Sequence, residues 1–560
     1  MGFDNFTAFE RMVRNKTGWF FFFLLLTNLS GYGQPTTARK YLVLFRDKTG
    51  TPYSTARPEQ FLSPRAIQRR QRQNIAVQER DLPVTPAYVE QIRQTGATVW
   101  FTSRWLNAVL IEATEPTIAA IQRLPFVKGL EFDRPLNNAR IAAGRSRTVA
   151  VRSKRTTKLG ELDTLNYGSS RAQIAQIGVD VMHQRGYHGE GMLIAVLDGG
   201  FLNANRVSFL RPLFEENRVV ATYDFVDREA SVYEDDYHGM SVLSAIAATA
   251  DNRLYGTAYK ASFILLRTED VFSESRVEEA NWLFGAEYAD SAGVDVINSS
   301  LGYTQFDDPE TNYSYEDLNG RTALSTRAAQ WASEAGIVVV VSAGNEGSDA
   351  WRYISAPADA AGALAIAAVN PTGQRAGFSS FGPSADGRIK PDLAAQGLGT
   401  VIGSPGGQVV TGNGTSYAAP LVAGLAAGFW QAHPRLTAAQ VTESLRRSGN
   451  QSLNPDDQLG YGIPNFARAS MLSDTSFAFL LYPNPFSDAE RLTVQLSGID
   501  FNSAVEATLA DASGRVVWSN RYLPNGPSGF VLPRLSLSAG MYFITLVAGE
   551  QKRTLKVIKL

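Results

Sequence analysis

The chain has 560 residues, of which 44% are hydrophobic and 19% charged, so it can hold several domains and bury a large core. Its formal net charge of −1 gives no overall reason to expect nucleic acid or an acidic partner, and no nucleic acid is predicted. The chain has no cysteine, which excludes disulfides, thiolate catalysis and cysteine-ligated metals.

Residues 1–33 have the pattern of a secretory signal peptide. Basic residues precede an apolar run at 18–29, and small residues at Gly31 and Gly33 fit cleavage just before Gln34. The run is too short for a comfortable membrane span, and no other stretch of about 18 apolar residues occurs. We therefore predict an exported protein with no transmembrane segment after signal removal.

Residues 34–134 are typical of a small α+β domain. Nothing in this region has catalytic character. Strands are predicted at 41–45, 98–101, 108–112 and near 130–132, and helices at 63–73, 86–94 and 116–124.

Residues 135–166 form a basic segment that we interpret as an exposed, protease-accessible linker. Nucleic-acid binding is the alternative interpretation of such a run. No acidic residue occurs between Arg134 and Glu161. The basic residues of the stretch 134–160 are Arg134, Arg140, Arg145, Arg147, Arg152, Lys154, Arg155 and Lys158.

Residues 167–472 alternate between short apolar runs and longer helical patterns. The runs at 193–197, 294–297, 337–341 and 363–368 are rich in Val, Ile and Ala, and helices are predicted at 239–249, 277–292, 322–335 and 421–432. Such a pattern indicates an α/β domain with a parallel sheet covered by helices on both faces. Ligand sites in such sheets lie at the carboxyl ends of the strands.

Residues 473–560 change to alternating strands and turns, which predicts a small all-β sandwich. Strands are expected at 492–496, 505–509, 516–518 and 542–547.

Four polar residues of the α/β region stand at predicted strand or helix ends. Asp198 follows the strand at 193–197, and His238 begins a helix of small residues. Asn345 lies in a Gly-Asn loop after a buried strand, where its amide could cap a turn or donate to an oxyanion. Ser416 lies between a glycine-rich loop and a helix. It could be a simple N-cap of the helix, or a nucleophile placed near the unpaired N–H groups of the helix start.

In combination and in this order, these residues resemble the subtilisin-like serine proteases, or subtilases, over about residues 167–470. Two positions depart from the usual family pattern. Met240, followed by Ser241, stands where threonine is usual after His-Gly, and Tyr417 follows Ser416 where methionine is usual. The matching stretches are 194–200, 238–239, 298–302, 342–347, 378–383, 390–392 and 414–420.

The resemblance implies a secreted serine endopeptidase, with proteins or peptides as substrates. His238 would take the proton of Ser416 and Asp198 would orient the imidazole. Asn345 and the backbone N–H of Ser416 would receive the oxyanion. Substrate would add as an extended strand along Ser300, Leu301 and Gly302.

The flanking regions carry resemblances of their own. Residues 34–134 resemble an inhibitory propeptide, so the chain's own propeptide is an expected partner and cleavage is predicted within 134–166. Residues 473–560 resemble the C-terminal sorting domain of the type IX secretion system, on the motif at 482–486, the stretch at 540–542 and the basic end. This implies the type IX machinery as a partner and a secreted or cell-surface location. A generic β-sandwich module is the alternative.

No cofactor is required by this chemistry and no metal ligand is assigned. An acidic loop could bind calcium through oxygen ligands, although a solvated loop is favoured. It contains Asp307, Asp308, Glu310, Glu316 and Asp317.

Two other functions compete with the protease hypothesis. One is a catalytically silent surface protein that binds peptides in the same groove. The other is an α/β-hydrolase esterase, but its Gly-x-Ser-x-Gly elbow is absent, because Ala418 stands where the second glycine would be.

Overall fold

The computed structural model describes residues 37–137, 165–473, 478–497, 504–522, 529–549 and 551–560. The predicted signal peptide and most of the predicted linker lie outside these ranges. Within them, no helix is both long enough and apolar enough to cross a membrane.

The N-terminal region folds into an antiparallel sheet of four strands, in the order β2-β3-β1-β4, with three short helices. Each helix has a proline at its start, where the missing N–H costs no hydrogen bond. The elements are β1 (Arg39–Phe45), α1 (Pro64–Arg72), α2 (Pro86–Gln94), β2 (Thr98–Ser103), β3 (Ala108–Ala113), α3 (Glu115–Ile121) and β4 (Val127–Leu130).

The fourth strand lies earlier than the sequence predicted. It ends at Leu130, which pairs with Val43, and residues 131–133 form a 3-10 turn instead of a strand. Phe132 and Asp133 have φ values of 62° and 54°, in the left-handed region that no strand residue adopts. The prediction of a strand near 130–132 was therefore wrong in its position.

The two faces of the N-terminal sheet are buried differently. Tyr41 and Val43 pack in the region's own core. Leu42, Trp105 and Leu110 belong instead to a core shared with the central domain. The N-terminal sheet is therefore part of the hydrophobic core of the precursor.

A buried ionic cluster joins helix α1 to the central domain. The carboxylate of Asp290 is fully buried and pairs with Arg69, with Arg70 at 2.9 Å and with Arg104 at 2.5 Å. Arg70 also pairs with Asp81 at 3.1 Å. Because a buried charge is costly unless paired, these contacts hold the two regions in one arrangement.

The central region contains the large parallel sheet that the sequence predicted. Its strands are β5 (Leu193–Asp198), β6 (Val219–Asp224), β7 (Thr249–Ala250), β8 (Leu254–Tyr255), β9 (Ser262–Arg267), β10 (Val296–Ser299), β11 (Val338–Ser342), β12 (Ala363–Val369), β13 (Leu393–Gln396), β14 (Thr400–Gly403) and β15 (Val409–Gly412). Its helices are α4 (Arg171–Gln176), α5 (Val179–Gln184), α6 (Arg211–Glu215), α7 (His238–Ala247), α8 (Arg276–Ala292), α9 (Leu324–Glu334), α10 (Thr415–Ala432), α11 (Ala438–Arg447) and α12 (Phe466–Ser473).

Seven of these strands form one sheet in the order β13-β12-β11-β10-β5-β9-β6, and the pairs are parallel. Successive residues of β5 point to opposite faces. Ile194 and Val196 pack in the core that contains α7 and α10, whereas Ala195 and Leu197 pack in the core that contains α8 and α9. A sheet buried on both faces explains why its strands are continuously apolar.

Three neighbouring strands of this sheet end side by side at the same edge. Leu197 of β5 pairs with Ser299 of β10, and Ser299 pairs with Val341 of β11. The segments that follow these strands are therefore brought together at the carboxyl edge, where the sequence predicted the site.

The C-terminal region forms two antiparallel sheets around a small core of its own. The sheet orders are β16-β17-β20 and β19-β18-β21-β22. The strands are β16 (Ala478–Tyr482), β17 (Thr493–Ser497), β18 (Val505–Asp511), β19 (Val516–Tyr522), β20 (Gly529–Val531), β21 (Gly540–Ala548) and β22 (Gln551–Lys559).

Candidate active site

Asp198 and His238 are joined by a hydrogen bond of 2.7 Å between Oδ1 and Nδ1. Asp198 is the last residue of β5 and is fully buried, while His238 is the first residue of α7. A Cβ atom on Gly239 would lie 2.7 Å from the Cβ of Asp198, so the absence of a side chain lets α7 approach the strand closely. The sequence predicted both residues, and the structure brings them together.

The pKa of His238 is raised above its usual 6.5. Burial on its own would lower it, but the charge and hydrogen bond of Asp198, with a further contribution from the charge of Asp236, outweigh this effect. The aromatic ring of Tyr417 lies 5.9 Å from the imidazole ring, centroid to centroid. The imidazole is thus held by a carboxylate on one side and flanked by an aromatic ring.

Ser416 lies in the first turn of α10, directly after Gly414 and Thr415. Its side chain is 8% exposed, and its backbone N–H belongs to the unpaired first turn of the helix. The Oγ donates a hydrogen bond of 3.3 Å to the carbonyl oxygen of Ser300. Among the described residues, Ser416 Oγ makes no hydrogen bond to His238.

Asn345 is an exposed residue that lies three positions beyond the end of β11, at the carboxyl edge of the sheet. Its Oδ1 accepts hydrogen bonds from the backbone N of Thr415 at 2.9 Å and from the Thr415 hydroxyl at 3.1 Å. Because the amide oxygen is engaged in this way, the amide nitrogen of Asn345 remains available as a donor.

The three residues predicted to bind substrate follow β10 directly. Ser300 is buried, Leu301 is half-buried against the core of the domain, and Gly302 is exposed. All three line a cavity of about 500 Å³ that also includes Asp198 and His238.

The same cavity contains acidic residues that the sequence analysis did not single out as functional. Four of them lie at 269–278, just after the end of β9, whereas Asp236 precedes His238 and Asp307 belongs to the acidic loop considered for calcium. Only the density of acids in the stretch 269–278 could have drawn attention to the first four. The carboxylates lining the cavity, apart from Asp198, are Asp236, Glu269, Asp270, Glu274, Glu278 and Asp307.

The acidic loop that suggested calcium uses several carboxylates for local hydrogen bonds. Asp308 accepts from the backbone N of Glu310 at 3.2 Å, and Asp317 accepts from the backbone N of Ser314 at 2.9 Å. Within the described ranges, no group of three or more His, Asp or Glu side chains is arranged to hold a metal ion. Nothing here tests calcium binding, which stays the less favoured interpretation of this loop.

Three family models match the chain. The subtilase family model matches residues 189–462, a model of the peptidase S8 propeptide domain of Bacteroidota matches residues 40–155, and a model of the secretion system C-terminal sorting domain matches residues 480–560. The three matches occur in the order that the sequence predicted.

Known proteases are also similar to the chain. Subtilisin NAT of Bacillus subtilis subsp. natto is 33% identical over 301 residues, which cover 53% of this chain and 70% of the relative. Subtilisin of Bacillus pumilus is 33% identical over 300 residues, which cover 53% of this chain and 97% of the relative. The crystal structure of MycP1 from the ESX-1 type VII secretion system is 23% identical, covers 53% of this chain and 85% of that one, and has a TM-score of 0.42.

Proposed function

The chain belongs to the subtilase family and is a serine endopeptidase, and we propose that Asp198, His238 and Ser416 are its catalytic triad. It is a secreted protease made as a precursor, with a propeptide domain and a C-terminal domain for type IX export. The observation that carries the proposed triad is the 2.7 Å hydrogen bond between Asp198 and His238, and Ser416 lies in the first turn of α10.

In the proposed mechanism, His238 acts first as a base and then as an acid. It takes the proton of Ser416 Oγ as this oxygen attacks the peptide carbonyl, and later gives the proton to the leaving amine. Asp198 keeps the proton on Nδ1, so that Nε2 is the basic atom, and stabilises the imidazolium. In this mechanism the Ser416 hydroxyl donates to the imidazole instead of to the Ser300 carbonyl that it contacts in this structure.

The oxyanion is proposed to be received by the Nδ2 group of Asn345 and the backbone N–H of Ser416. The hydrogen bonds from Thr415 to Asn345 Oδ1 support this assignment, because they orient the amide before substrate arrives. A donor fixed in advance costs no reorganisation when charge develops on the carbonyl oxygen.

The substrate is proposed to bind as an extended strand along Ser300, Leu301 and Gly302. Gly302 supports this role, because a Cβ at this position would approach the Ser355 hydroxyl to 2.1 Å, so the segment keeps its backbone close to the neighbouring loop and open on its other side. The propeptide domain is proposed to inhibit the enzyme until the chain is cut within residues 134–166.

The test is the purified variant Ser416→Ala assayed on peptide substrates, with Ser208→Ala, an exposed serine, as the matched control. We expect Ser416→Ala to lose peptide cleavage and labelling by a serine-directed covalent probe, and Ser208→Ala to retain both. Wild-type binding of peptides without cleavage or labelling would favour the silent binding protein. Cleavage by Ser416→Ala at the wild-type rate would refute the triad.

A further inference from the structure

We propose that the acidic cavity beside the active site selects peptides with a lysine or arginine close to the scissile bond, and that Glu269 and Glu274 receive the basic side chain. This inference rests on the proposed function, because it assigns a substrate class to the same site. It differs from a simple acidic surface patch, because the cavity opens on His238 and on the substrate-binding segment.

The shape and charge of the cavity fit a basic side chain. A volume of about 500 Å³ is in the range of ligand pockets and can take a long side chain. Its lining includes six carboxyl groups besides that of Asp198, and among the described lining residues there is no lysine or arginine. Clefts lined by charge of one sign concentrate ligands of the opposite sign.

Glu269 provides a buried acceptor inside this cavity. The residue is only 8% exposed, and its Oε1 accepts hydrogen bonds from Tyr303 OH at 2.6 Å and from Thr268 Oγ1 at 2.7 Å. Within the described part of the chain, Oε2 of the same carboxyl accepts no hydrogen bond. One oxygen is thus fixed by the protein and the other is left for a ligand.

The nearby cations do not neutralise the cavity, because they are paired with other acids. Arg267 is held by Asp224 at 2.6 Å and by Asp227 at 2.8 Å, and Arg276 is paired with Glu279 at 2.9 Å. None of the ion pairs among the described residues includes Glu269, Glu274, Glu278 or Asp307. The carboxyl groups of these four residues therefore have no cationic partner in the described part of the protein, which leaves them available to an incoming basic group.

The carboxyls of the cavity have two different duties. Glu278 is used within the protein, since its two oxygens accept from the backbone N of Ser275 at 2.9 Å and of Asp270 at 3.0 Å at the start of α8. Glu274 makes no such side-chain hydrogen bond in the described structure, although its backbone N donates to Asp307 at 3.1 Å. The carboxyl group of Glu274, like Oε2 of Glu269, is therefore available to bind a ligand.

The pKa values of Glu269 and Glu274 are raised, so the binding of a cation would change the ionisation of both carboxyls. Burial is the main reason that the pKa of Glu269 is raised to about 8, against the hydrogen bonds from Tyr303 and Thr268. Burial, then the charges of Asp307 and Glu279, raise the pKa of Glu274 to about 7. A lysine or arginine entering the cavity would favour the ionised forms and so be bound more tightly.

The rim suits the aliphatic part of a basic side chain. Phe272 is 86% exposed and Val271 is 49% exposed, and both border the cavity. Long basic side chains bury their methylene groups on apolar surfaces while the charged end reaches polar groups, and an aromatic ring also attracts a cation. An exposed phenylalanine beside buried carboxylates matches both parts of arginine or lysine.

The chain itself contains a sequence of the class that this cavity would bind. The segment at 134–158 carries eight lysines and arginines and no acid. Arg134, the first of these, donates to the carbonyl oxygen of Glu310 at 3.2 Å, in the same acidic loop as Asp307. Charge complementarity thus favours cleavage of the chain's own linker by its own active site.

The experiment compares pairs of peptides that differ only in Arg or norleucine at positions flanking the scissile bond, with the mature wild-type enzyme and with Glu269→Gln and Glu274→Gln. The readout is the ratio of kcat/KM for the Arg peptide to that for the norleucine peptide. Glu316→Gln is the matched control, because Glu316 is an exposed acid of the same loop that does not line the cavity.

We expect the wild-type ratio to be about tenfold or more, since a charge-assisted hydrogen bond is involved. Glu269→Gln and Glu274→Gln should each lower the ratio severalfold, and Glu316→Gln should leave it unchanged. High salt should lower the wild-type ratio.

The failures of the two proposals are distinguishable. If the wild-type enzyme cleaves both peptides equally well, the inference is refuted while the proposed function stands. If the enzyme cleaves neither of these peptides, nor any peptide of a mixed-sequence library, the proposed function itself fails. A ratio unchanged in both glutamine variants, or one that calcium abolishes in the wild-type enzyme, would overturn the assignment of the cavity to basic side chains.

Discussion

The hydroxyl group of Ser300 donates a hydrogen bond of 2.9 Å to the main-chain carbonyl oxygen of Ser416. In an uninterrupted helix this oxygen would accept from the residue four positions later, but that residue is Pro420, which has no N–H. Ser300 thus takes the place of the missing helical donor. The bond ties the substrate-binding segment directly to the turn that carries the proposed nucleophile.

Ser300→Ala should lower kcat/KM about tenfold, because it leaves a buried carbonyl without its donor, at a cost of about 1–3 kcal/mol. Pro420→Ala restores a helical N–H to the same oxygen. The loss caused by Ser300→Ala should therefore be smaller in the Pro420→Ala background, as a double-mutant cycle measures. Equal losses in both backgrounds would contradict the substitution of one donor for the other.

The acid limb of the pH–rate profile should lie above pH 6.5. His238 must be neutral to act as a base, and its raised pKa means that it becomes protonated, and activity is lost, as pH falls through a value above the usual one. The measurement is kcat/KM against pH with a peptide that has no charged side chain, so that the ionisation of the cavity glutamates has little effect on its binding. Asp198→Asn should move this limb to lower pH and reduce kcat by about 10⁴. An unmoved limb would show that another group controls it.

Asn345→Ala should reduce kcat by about 10²–10³, the loss known for the asparagine donor of subtilisin itself. The substitution removes the amide nitrogen proposed to receive the oxyanion, while Thr415 keeps its hydrogen bonds to Gly344. The check is kcat with saturating peptide, together with KM, which should change little because the interaction is made in the transition state. A loss confined to KM would assign Asn345 to ground-state binding.

Asp290→Asn should destabilise the precursor by about 3–5 kcal/mol, because it leaves buried guanidinium groups without their anion. The measurement is the thermal unfolding of the precursor in the Ser416→Ala form, which prevents processing. Glu90→Gln is the control, since Glu90 forms an exposed pair with Arg93 at 3.4 Å and such pairs contribute about 1 kcal/mol or less. Equal shifts in the two variants would mean that the ionic cluster does not hold the N-terminal region.

Removal of residues 482–560 should abolish export from the native host and leave kcat/KM within about twofold of the wild-type value. The region has its own core, which contains no residue of the proposed triad. Its contacts with the central domain include those of Gln495, which donates to Arg447 O and to Ser452 Oγ, both at 2.6 Å. Activity assays of culture supernatant and of cell lysate separate the two effects. Truncated enzyme found outside the cell would contradict the sorting role.

The sequence predicted those features that depend on local pattern. The strand that ends at Asp198 could be predicted because an apolar run marks it, and the helix that begins at His238 because a run of small residues marks it. Helix α10 begins six residues before the predicted helical body, since the glycine-rich loop ends at Gly414 and the first turn already contains Ser416. The proposed site residues were identified through a combination of motifs in one order, and their roles stay a prediction.

The features that were missed depend on contacts between distant residues. Arg69 and Asp290 are 221 positions apart, so no local pattern could show that an arginine of α1 pairs with an acid of α8. Glu269 and Tyr303 meet only because β9 and the segment after β10 border one cavity. No local periodicity reports which acids face such a cavity.

The ionic cluster at Asp290 reflects a difference in net charge between the propeptide domain and the rest of the chain. Residues 34–134 carry 15 Lys and Arg against nine Asp and Glu, and those arginines cover acidic groups of helix α8. Residues 167–560 carry 28 Lys and Arg against 41 Asp and Glu. A nearly neutral precursor therefore becomes a strongly anionic enzyme, and the two forms should separate cleanly by isoelectric focusing or anion exchange.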